Sequence, residues 1–331
     1  MAVGNSKIKI LYILEILKKY SDEMHPLTSN EIIDKLASFG VTCERKSLYS
    51  DIELLQVAGY DIINTKTPKS GYFLASREFE QPELALLADA VMAANFVTPK
   101  KTGEILKKLE GFLSVYDAKN FKDRIFIDNT HKCENNEIYY NIDKIQRAIE
   151  DNKMVEFTYV RHKIINGKPE EYTNTFYVSP YALTWVDDNY YLIGNMHKYN
   201  NLLHLRVDRM KSVEIKKRES RNFEEVCEYR GFFDTADYTA KAFNMFGGEK
   251  ARVELLCKNE SFEMVSDEFG KDIVFIKHDD DHFRILCDSI ISEGLTSYLV
   301  QFADKIEVLS PPKLRRMVVD KIDRLCEVYK K

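Results

Sequence analysis

Apolar residues recur three to four positions apart in three segments of residues 1–75, and this spacing predicts three helices. The first helix is expected over about residues 7–19. The second begins at Thr28, because Thr28 and Glu31 have the spacing of a capping box, and it ends at Gly40. The third follows after the three or four residues that are typical of a helix-turn-helix.

The third predicted helix, residues 42–55, has an apolar seam on one side and polar side chains on the other. The seam consists of Leu48, Ile52 and Leu55. The polar set near the helix N-terminus consists of Arg45, Lys46, Ser47, Tyr49 and Ser50. Arginine bonds guanine edges, whereas hydroxyl groups and helix amide ends suit phosphates. These five residues are therefore candidate contacts to the major groove of DNA.

Two short strands, residues 60–64 and 71–74, are predicted after this helix and form a hairpin. The hairpin is a candidate wing whose Lys66 and Lys69 contact backbone phosphates. The alternative is a packing or protein-docking module, because acidic residues nearly cancel the basic charge of the third helix. Those acidic residues are Glu44, Asp51 and Glu53.

The next segment, residues 76–138, is expected to connect two domains. Residues 78–116 have apolar stripes at helical spacing, with the second helix opening at Thr102. Such stripes are typical of core or dimer packing. Residues 119–136 are polar and mixed, which predicts a linker.

Residues 139–221 show a short helix and then about five short strands separated by turn signals. This pattern predicts a small open β-barrel of the SH3 or Sm kind, with the second strand closed by Pro180. The expected strands are residues 155–159, 173–178, 190–194, 203–208 and 213–215.

Alternation along strand 203–208 places His204, Arg206 and Asp208 on one face. Together with Arg209 and nearby aromatic side chains, this face is a candidate surface for stacking bases and binding phosphates. The candidate effector-binding residues here are Tyr159, Tyr181, Tyr191, His204, Arg206 and Arg209. The alternative is that the arginines are ion-paired surface groups and the tyrosines belong to the core.

Residues 222–331 are expected to form a ferredoxin-like α+β unit, because the predicted order is strand-helix-strand-strand-helix-strand-helix. Arg315 and Arg316, at the start of the last helix, are candidates for a further phosphate contact or for a solvated basic turn. Residues 278–282, His-Asp-Asp-Asp-His, lie at a predicted hairpin tip, where turn chemistry explains the acidic residues without a metal.

Composition adds limits to this picture. The net charge is −5, residues 1–75 are neutral overall, and no segment is strongly basic, so charge alone does not identify a nucleic-acid binder. No signal peptide or membrane-spanning window is present, and the six cysteines lack any C-x-x-C pair, so a cytoplasmic protein without metal or cofactor is expected. No Walker loop, nucleophile elbow or metalloprotease motif indicates an enzyme, and no catalytic residue is assigned.

Four motifs give the chain a specific resemblance. They are Tyr-Tyr-Leu-Ile-Gly at 190–194, Leu-Arg-Val-Asp-Arg-Met at 205–210, Phe-Asn-Met-Phe-Gly-Gly-Glu at 243–249 and Ser-Pro-Pro-Lys-Leu-Arg-Arg at 310–316. In this order, after the predicted winged helix, they resemble the WYL-domain transcriptional regulators of bacteria. Tyr190 stands where that family has Trp.

The family's third helix carries Arg-Thr-x-x-Arg-Asp-Ile. Here Ser47 stands for the Thr, Asp51 and Ile52 match, and Ser50 replaces the second Arg, which removes one expected phosphate contact.

The resemblance implies a homodimer that binds double-stranded promoter DNA, while its C-terminal half senses a single-stranded nucleic acid or a nucleotide. It implies a multidomain α+β protein with four parts. These are a winged helix-turn-helix (1–75), a helical connector and linker (76–138), the WYL SH3/Sm-like barrel (139–221) and a linker with the ferredoxin-like WCX extension (222–331). The alternative is an accessory protein of a CRISPR or phage-defence system that binds RNA or single-stranded DNA.

Overall fold

The computed structural model describes residues 5–123, 132–270 and 273–330. The chain divides into two compact units, Met1–Glu134 and Asn135–Lys331. The first unit therefore contains the predicted DNA-binding segment and most of the predicted connector, which extends to residue 138.

The first unit begins with three helices and a hairpin. Helices α1 (Asn5–Tyr20), α2 (Ser29–Ser38) and α3 (Arg45–Val57) precede strands β1 (Ile62–Thr65) and β2 (Gly71–Leu74). The two strands pair antiparallel, and Leu27 adds a bridge to Tyr72 of β2. One apolar core holds these elements together, because α1, α2, α3 and the hairpin all contribute buried side chains to it.

The predicted start of α2 is confirmed in detail. The Thr28 side chain accepts a hydrogen bond from the Glu31 N–H, and the Glu31 carboxylate accepts one from the Thr28 N–H. This reciprocal capping satisfies two amides that the first turn would otherwise leave unpaired. At the other end Gly40 has a φ of 73°, a left-handed conformation that glycine adopts without steric cost.

Helix α3 begins three residues later than predicted. Val41 is buried, and its N–H donates to the Leu36 carbonyl, so the chain reaches Glu44 in an extended conformation before the helix starts. The connection between α2 and α3 is consequently longer than the expected three or four residues. The predicted seam is confirmed, since Leu48, Ile52 and Leu55 are all buried.

Three further helices follow in the described part of the first unit: α4 (Gln81–Ala93), α5 (Pro99–Glu110) and α6 (Val115–Lys122). The second predicted helix of this segment starts at Pro99 instead of Thr102, because the Thr98 side chain caps it. The expectation of a linker from residue 119 is wrong at its start, since α6 continues to Lys122 with Ser114 as its cap. Residues 124–131 of that expected linker lie outside the described residues.

The second unit begins with α7 (Ile138–Glu150) and a five-stranded antiparallel sheet. Its strands are β3 (Lys153–Ile165), β4 (Lys168–Val186), β5 (Asn189–Asn195), β6 (Leu203–Arg206) and β7 (Met210–Glu219). They lie in the order β6-β5-β4-β3-β7. Strand β4 does not end at Pro180 as predicted, because a bulge between Pro180 and Ala182 accommodates a residue that cannot donate a ladder hydrogen bond.

A second sheet follows a short helix, α8 (Thr235–Lys241), which was not predicted. Its elements are β8 (Glu249–Lys258), α9 (Phe262–Phe269), β9 (Val274–Lys277), β10 (His282–Ile291), α10 (Glu293–Gln301), β11 (Ile306–Ser310) and α11 (Pro312–Tyr329). The strand order is β11-β8-β10-β9, and all neighbours are antiparallel. The predicted alternation of strands and helices is therefore confirmed.

Among the helices of the described residues, none combines the length and the apolar character that crossing a membrane requires.

Candidate functional sites

The N-terminal half of α3 presents polar side chains to solvent. Arg45, Lys46, Tyr49 and Ser50 are exposed, as predicted from the helical spacing. The Arg45 guanidinium donates to Asn30 Oδ1 at 2.8 Å, and the Tyr49 hydroxyl accepts from Ser29 Oγ at 3.3 Å. Both partners lie at the start of α2, so the two helices hold these long side chains in place at one surface.

Ser47 and Asp51 face the interior instead. The buried ammonium group of Lys9 on α1 lies 2.8 Å from Asp51 Oδ2 and also donates to Ser47 Oγ. The side chains of Lys9 and Asp51 are only 9% and 14% exposed. The expectation that Ser47 belongs to the solvent-facing set is corrected, because its hydroxyl is a partner of Lys9. Two of the family-motif positions, Ser47 and Asp51, thus join α3 to α1.

The two candidate lysines of the hairpin differ in their surroundings. Lys66 is exposed in the segment between β1 and β2. Lys69 Nζ lies 2.7 Å from Glu31 Oε2, and this contact lowers the pKa of the Glu31 carboxyl. Lys69 is therefore ion-paired to α2, whereas Lys66 is an exposed cation of the hairpin.

A cleft of about 700 Å³ in the second unit collects most of the candidate effector residues. On the side of the five-stranded sheet it is lined by Tyr159, Tyr191, His204, Arg206 and Arg209, all of which the sequence singled out. The opposite wall consists of residues 244–248. Burial raises the pKa values of the Tyr159 and Tyr191 hydroxyls, so both remain neutral donors at neutral pH.

Arg206 and Arg209 play different parts in this cleft. The chain leaves β6 at Arg206 and makes a short 3-10 turn through Arg209, so the predicted strand to Asp208 is too long. In this turn the Arg206 guanidinium binds Asp208 through two contacts, Nε to Oδ1 at 3.1 Å and Nη2 to Oδ2 at 2.8 Å. Arg209 is exposed at the edge of the cleft. The geometry makes Arg209 the more available cation.

His204 lies deep in the wall of the cleft and connects three segments. Its Nε2 lies 2.8 Å from the Tyr238 hydroxyl on α8. Burial lowers the pKa of His204 to about 4, although a hydrogen bond with the backbone of Met245 opposes this shift. His204 is thus a neutral side chain at physiological pH and serves as a hydrogen-bonding support rather than as a cation.

Three candidate effector residues lie elsewhere. Tyr181 packs in an aromatic cluster with Phe223 and Phe233. Arg315 donates to Glu307 Oε1 at 2.7 Å and to the Val308 carbonyl at 2.6 Å, while Arg316 is exposed on α11. None of the three lines the cleft.

The sequence prediction missed Arg161 and the far wall. Arg161 lines the cleft, and its guanidinium lies 5.5 Å from the centre of the Tyr159 ring. The alternation of Phe157, Tyr159 and Arg161 along the strand indicates that they share a face, but the predicted strand ended at residue 159 and so excluded Arg161. In the far wall, Gly248 approaches the Ile291 carbonyl so closely that a Cβ atom would lie 2.0 Å from that oxygen. The Gly-Gly pair was the sequence signal for this contact.

Within the described parts of the chain, no group of three or more His, Cys, Asp and Glu side chains forms a metal site. At the tip between β9 and β10, Asp279 Oδ1 accepts hydrogen bonds from the N–H groups of Asp281 and His282. The acidic residues there have the role that turn chemistry predicts.

Two family models match the chain, and both cover the second unit. The model of the WYL domain matches residues 140–215, which include β3 to β6 and most of the cleft's sheet side. The model of the WCX domain matches residues 249–326, which form the second sheet and its helices. The protein carries a WYL domain followed by a WCX domain. The cleft is thus lined by the WYL domain on one side and by the segment that leads into the WCX domain on the other.

Three named relatives are distantly similar to this chain. A Bacillus subtilis (strain 168) protein named uncharacterized HTH-type transcriptional regulator YobV is 22% identical over 298 residues, or 86% of this chain and 89% of the relative. Among solved structures, proteasome accessory factor B/C (PafBC) of Arthrobacter aurescens is 17% identical with a TM-score of 0.31. A CRISPR Cas-related protein is 12% identical with a TM-score of 0.38.

The two structural matches differ in length. The PafBC match covers 99% of this chain but 49% of the PafBC chain, so this chain spans about half of that protein. The match to the CRISPR Cas-related protein covers 100% of this chain and 87% of the other.

Proposed function

We propose that the protein is a cytoplasmic transcriptional regulator that binds promoter DNA as a homodimer through residues 1–75 and senses an anionic effector in the cleft of its WYL domain. The effector is a single-stranded nucleic acid or a nucleotide. The role is one of binding and not of catalysis. The name of the Bacillus subtilis relative, a transcriptional regulator, supports this proposal.

In this proposal the three folds have the identities that the sequence indicated. Residues 1–75 are a winged helix-turn-helix, because a two-stranded hairpin follows three packed helices. The five-stranded sheet is an SH3/Sm-like barrel, and the four-stranded sheet with order β11-β8-β10-β9 is a ferredoxin-like unit.

The observation that carries the DNA-binding part is the division of α3 into two sides. Leu48, Ile52 and Leu55 are buried, while Arg45, Lys46, Tyr49 and Ser50 project from the N-terminal half of the helix into solvent. A recognition helix uses this end to reach base edges and phosphates. Lys66 adds a phosphate contact from the hairpin. Ser47 supports the surface from within through Lys9, whereas the exposed Lys69 is ion-paired to Glu31 of α2.

The observation that carries the effector part is the cleft, which combines cations with aromatic rings. Arg209 is exposed, Arg206 is held by Asp208, and Tyr191 lies beside them. This combination suits a ligand with a phosphate group and a planar base. A population shift links the two sites, because an effector that binds one dimer geometry better favours that geometry for the recognition helices as well.

A mobility-shift assay with salt titration tests the proposal. We expect binding to duplex fragments from the protein's own promoter region, with an affinity that falls by a log–log slope of about 0.9 per neutralised phosphate. A single-stranded oligonucleotide added in excess should change this affinity. Tight binding to RNA or single strands with no duplex affinity would instead support the accessory protein of a CRISPR or phage-defence system.

Arg209 is the better residue for isolating the effector site. Replacing Arg206 with alanine would also leave Asp208, whose side chain is 11% exposed, without its partner. Such a buried uncompensated carboxylate destabilises the fold. Arg209→Ala removes a cleft cation from an exposed position, so a lost effector response in that variant reports on binding.

A further inference from the structure

Strands β3 and β4 continue as a two-stranded ribbon in which neither face is buried. Every residue from Arg161 to Glu171 is exposed. Pairing nevertheless continues in regular register to Ile165 and Lys168, where Asn166 and Gly167 make the turn with φ angles of 52° and 77°. These left-handed angles and the Asn-Gly pair are those of a tight type I′ hairpin turn. The ribbon is therefore a defined hairpin and not an irregular loop.

One face of the ribbon alternates cations with aromatic rings. Arg161 and Lys163 share this face because side chains alternate along a strand, and Tyr172 lies directly opposite Arg161 on β4. Tyr159 lies on the same face at the base of the ribbon, where it is buried. The Arg161 guanidinium lies 5.5 Å from the centre of the Tyr159 ring, and Lys163 Nζ lies 4.8 Å from the centre of the Tyr172 ring. We call this row of four residues the ribbon track.

The ribbon track is continuous with the effector cleft. Tyr159 and Arg161 line the cleft itself. Arg161 also lines an adjoining cavity of about 320 Å³ together with Phe176 and His204. Lys163 is two residues beyond Arg161, or about 7 Å further along an extended strand. A ligand that leaves the cleft past Arg161 therefore meets Tyr172 and Lys163 next.

Charge is divided between the two faces of the ribbon. The track face carries Arg161 and Lys163, and at the tip Lys168, with Glu170 as its acidic member. Glu171 lies on the opposite face, where its carboxylate binds Lys211 of β7 at 3.2 Å. The track face thus has an excess of positive charge. An anionic ligand is favoured on that face and not on the other.

We infer that the ribbon track is the outer part of the effector site and holds a single nucleic-acid strand that runs out of the cleft. Arg161 and Lys163 contact successive phosphates, and Tyr172 stacks on a base that has left the cleft. Alternating cations and aromatic rings are the means by which proteins bind single strands. The inference rests on the proposed effector site and narrows its ligand to an oligonucleotide, because a mononucleotide in the cleft leaves Tyr172 and Lys163 unused.

Fluorescence anisotropy with labelled strands of two lengths tests the inference on the full-length protein. The short strand, of about three nucleotides, fills the cleft, and the long strand, of about twelve, also reaches the ribbon. Both are made as oligo-dT and oligo-U, so that DNA and RNA are compared directly. The variants are Tyr172→Leu, Tyr172→Phe and Lys163→Gln. Lys211→Gln is the matched control, because it removes the same charge from the opposite face of the sheet.

For the long strand, Tyr172→Leu should weaken binding about fivefold or more, since stacking one base contributes at least ~1 kcal/mol. Tyr172→Phe should bind like the wild type, because the ring is kept. Lys163→Gln should reduce the slope of log affinity against log salt by about 0.7, the value for one phosphate of a single strand. The short strand and the Lys211→Gln control should show wild-type behaviour.

Three results would overturn the inference. If Tyr172→Leu and Lys163→Gln bind the long strand like the wild type while Arg209→Ala still loses it, the ribbon is not part of the site, although the cleft is. If both variants lose short and long strands equally, the ribbon only supports the cleft. A wild-type protein that binds neither strand contradicts the effector site itself, and the inference fails with it.

Discussion

The ion pair between Lys9 and Asp51 gives a sharp prediction about the candidate recognition helix. Asp51 matches the family motif of the DNA-binding helix, which suggests a contact with DNA, but its side chain faces α1. We predict that Lys9→Met destabilises the packing of α3 on α1, because it leaves a carboxylate nearly buried and without its cation. Replacing both residues, Lys9→Met with Asp51→Leu, should restore most of the stability.

The magnitude follows from the burial of the pair. Removing one partner of a buried pair costs about 3–5 kcal/mol, whereas an exposed pair contributes less than about 1 kcal/mol. Here the Lys9 and Asp51 side chains are 9% and 14% exposed, and the Ser47 hydroxyl remains nearby, so we expect the lower end, about 3 kcal/mol. The double variant should lie within about 1 kcal/mol of the wild type.

Amide hydrogen exchange of peptides that cover α3 is the appropriate assay. The chain has two compact units, so a single global unfolding transition is not guaranteed, whereas exchange reports the opening of this helix itself. Duplex binding by the double variant is measured in parallel. The reasoning is refuted if Lys9→Met costs less than about 1 kcal/mol. It is also refuted if the double variant keeps α3 protected but loses duplex binding, since Asp51 would then contact DNA.

Two other predictions concern the cleft. His204 has a folded-state pKa of about 4, below its ordinary 6.5. Between these two pH values His204 is protonated in the unfolded chain but neutral in the folded protein, so lowering the pH favours unfolding. Stability should therefore drop by about 2 kcal/mol between neutral pH and about pH 5, as read from the fluorescence of Trp185, the single tryptophan. His204→Gln should remove this pH dependence, and an unchanged profile would contradict the assigned burial. Gly248→Ala should destabilise the far wall by about 1–3 kcal/mol, because the added Cβ would clash with the Ile291 carbonyl. A thermal melting curve identical to that of the wild type would contradict this prediction, since it would show that the backbone at residue 248 can move away at no cost.

Much of the fold could be predicted from the sequence, because helix faces, helix caps and strand faces depend on residues that are close together along the chain. The spacing of Leu48, Ile52 and Leu55 determined which side of α3 is buried, and the Thr28–Glu31 capping box marked the start of α2. In the C-terminal part, alternation of apolar residues predicted the strands of the second sheet.

The errors occurred where distant residues meet. The ion pair of Lys9 with Asp51 joins two helices, so no pattern within α3 alone predicts that Asp51 and Ser47 face inward. Likewise, strict alternation placed Asp208 on the strand with Arg206, whereas a 3-10 turn allows the two side chains to bind each other. Helical and strand periods describe faces of single elements, and these contacts depend on how elements pack.

In the cleft, too, some residues could be predicted from local motifs and others could not. Tyr191, His204, Arg206 and Arg209 could be found because they lie in or near a recognisable motif. The far wall, residues 244–248, depends on Asn244 and Met245 in left-handed conformations with φ of 48° and 54°. Such conformations are rare for residues other than glycine and are imposed by the surrounding structure, so the sequence gives little sign of them.

The central claim is that one surface reads duplex DNA while a separate cleft binds the effector. The most direct test measures the affinities of wild type, Arg45→Ala and Arg209→Ala for a promoter duplex and for a long single strand. We predict that Arg45→Ala weakens duplex binding about tenfold and binds the single strand normally, since one arginine contact to a base contributes ~1–3 kcal/mol. Arg209→Ala should lose single-strand binding and keep duplex binding. Equal loss of both ligands in either variant would contradict the division into two sites.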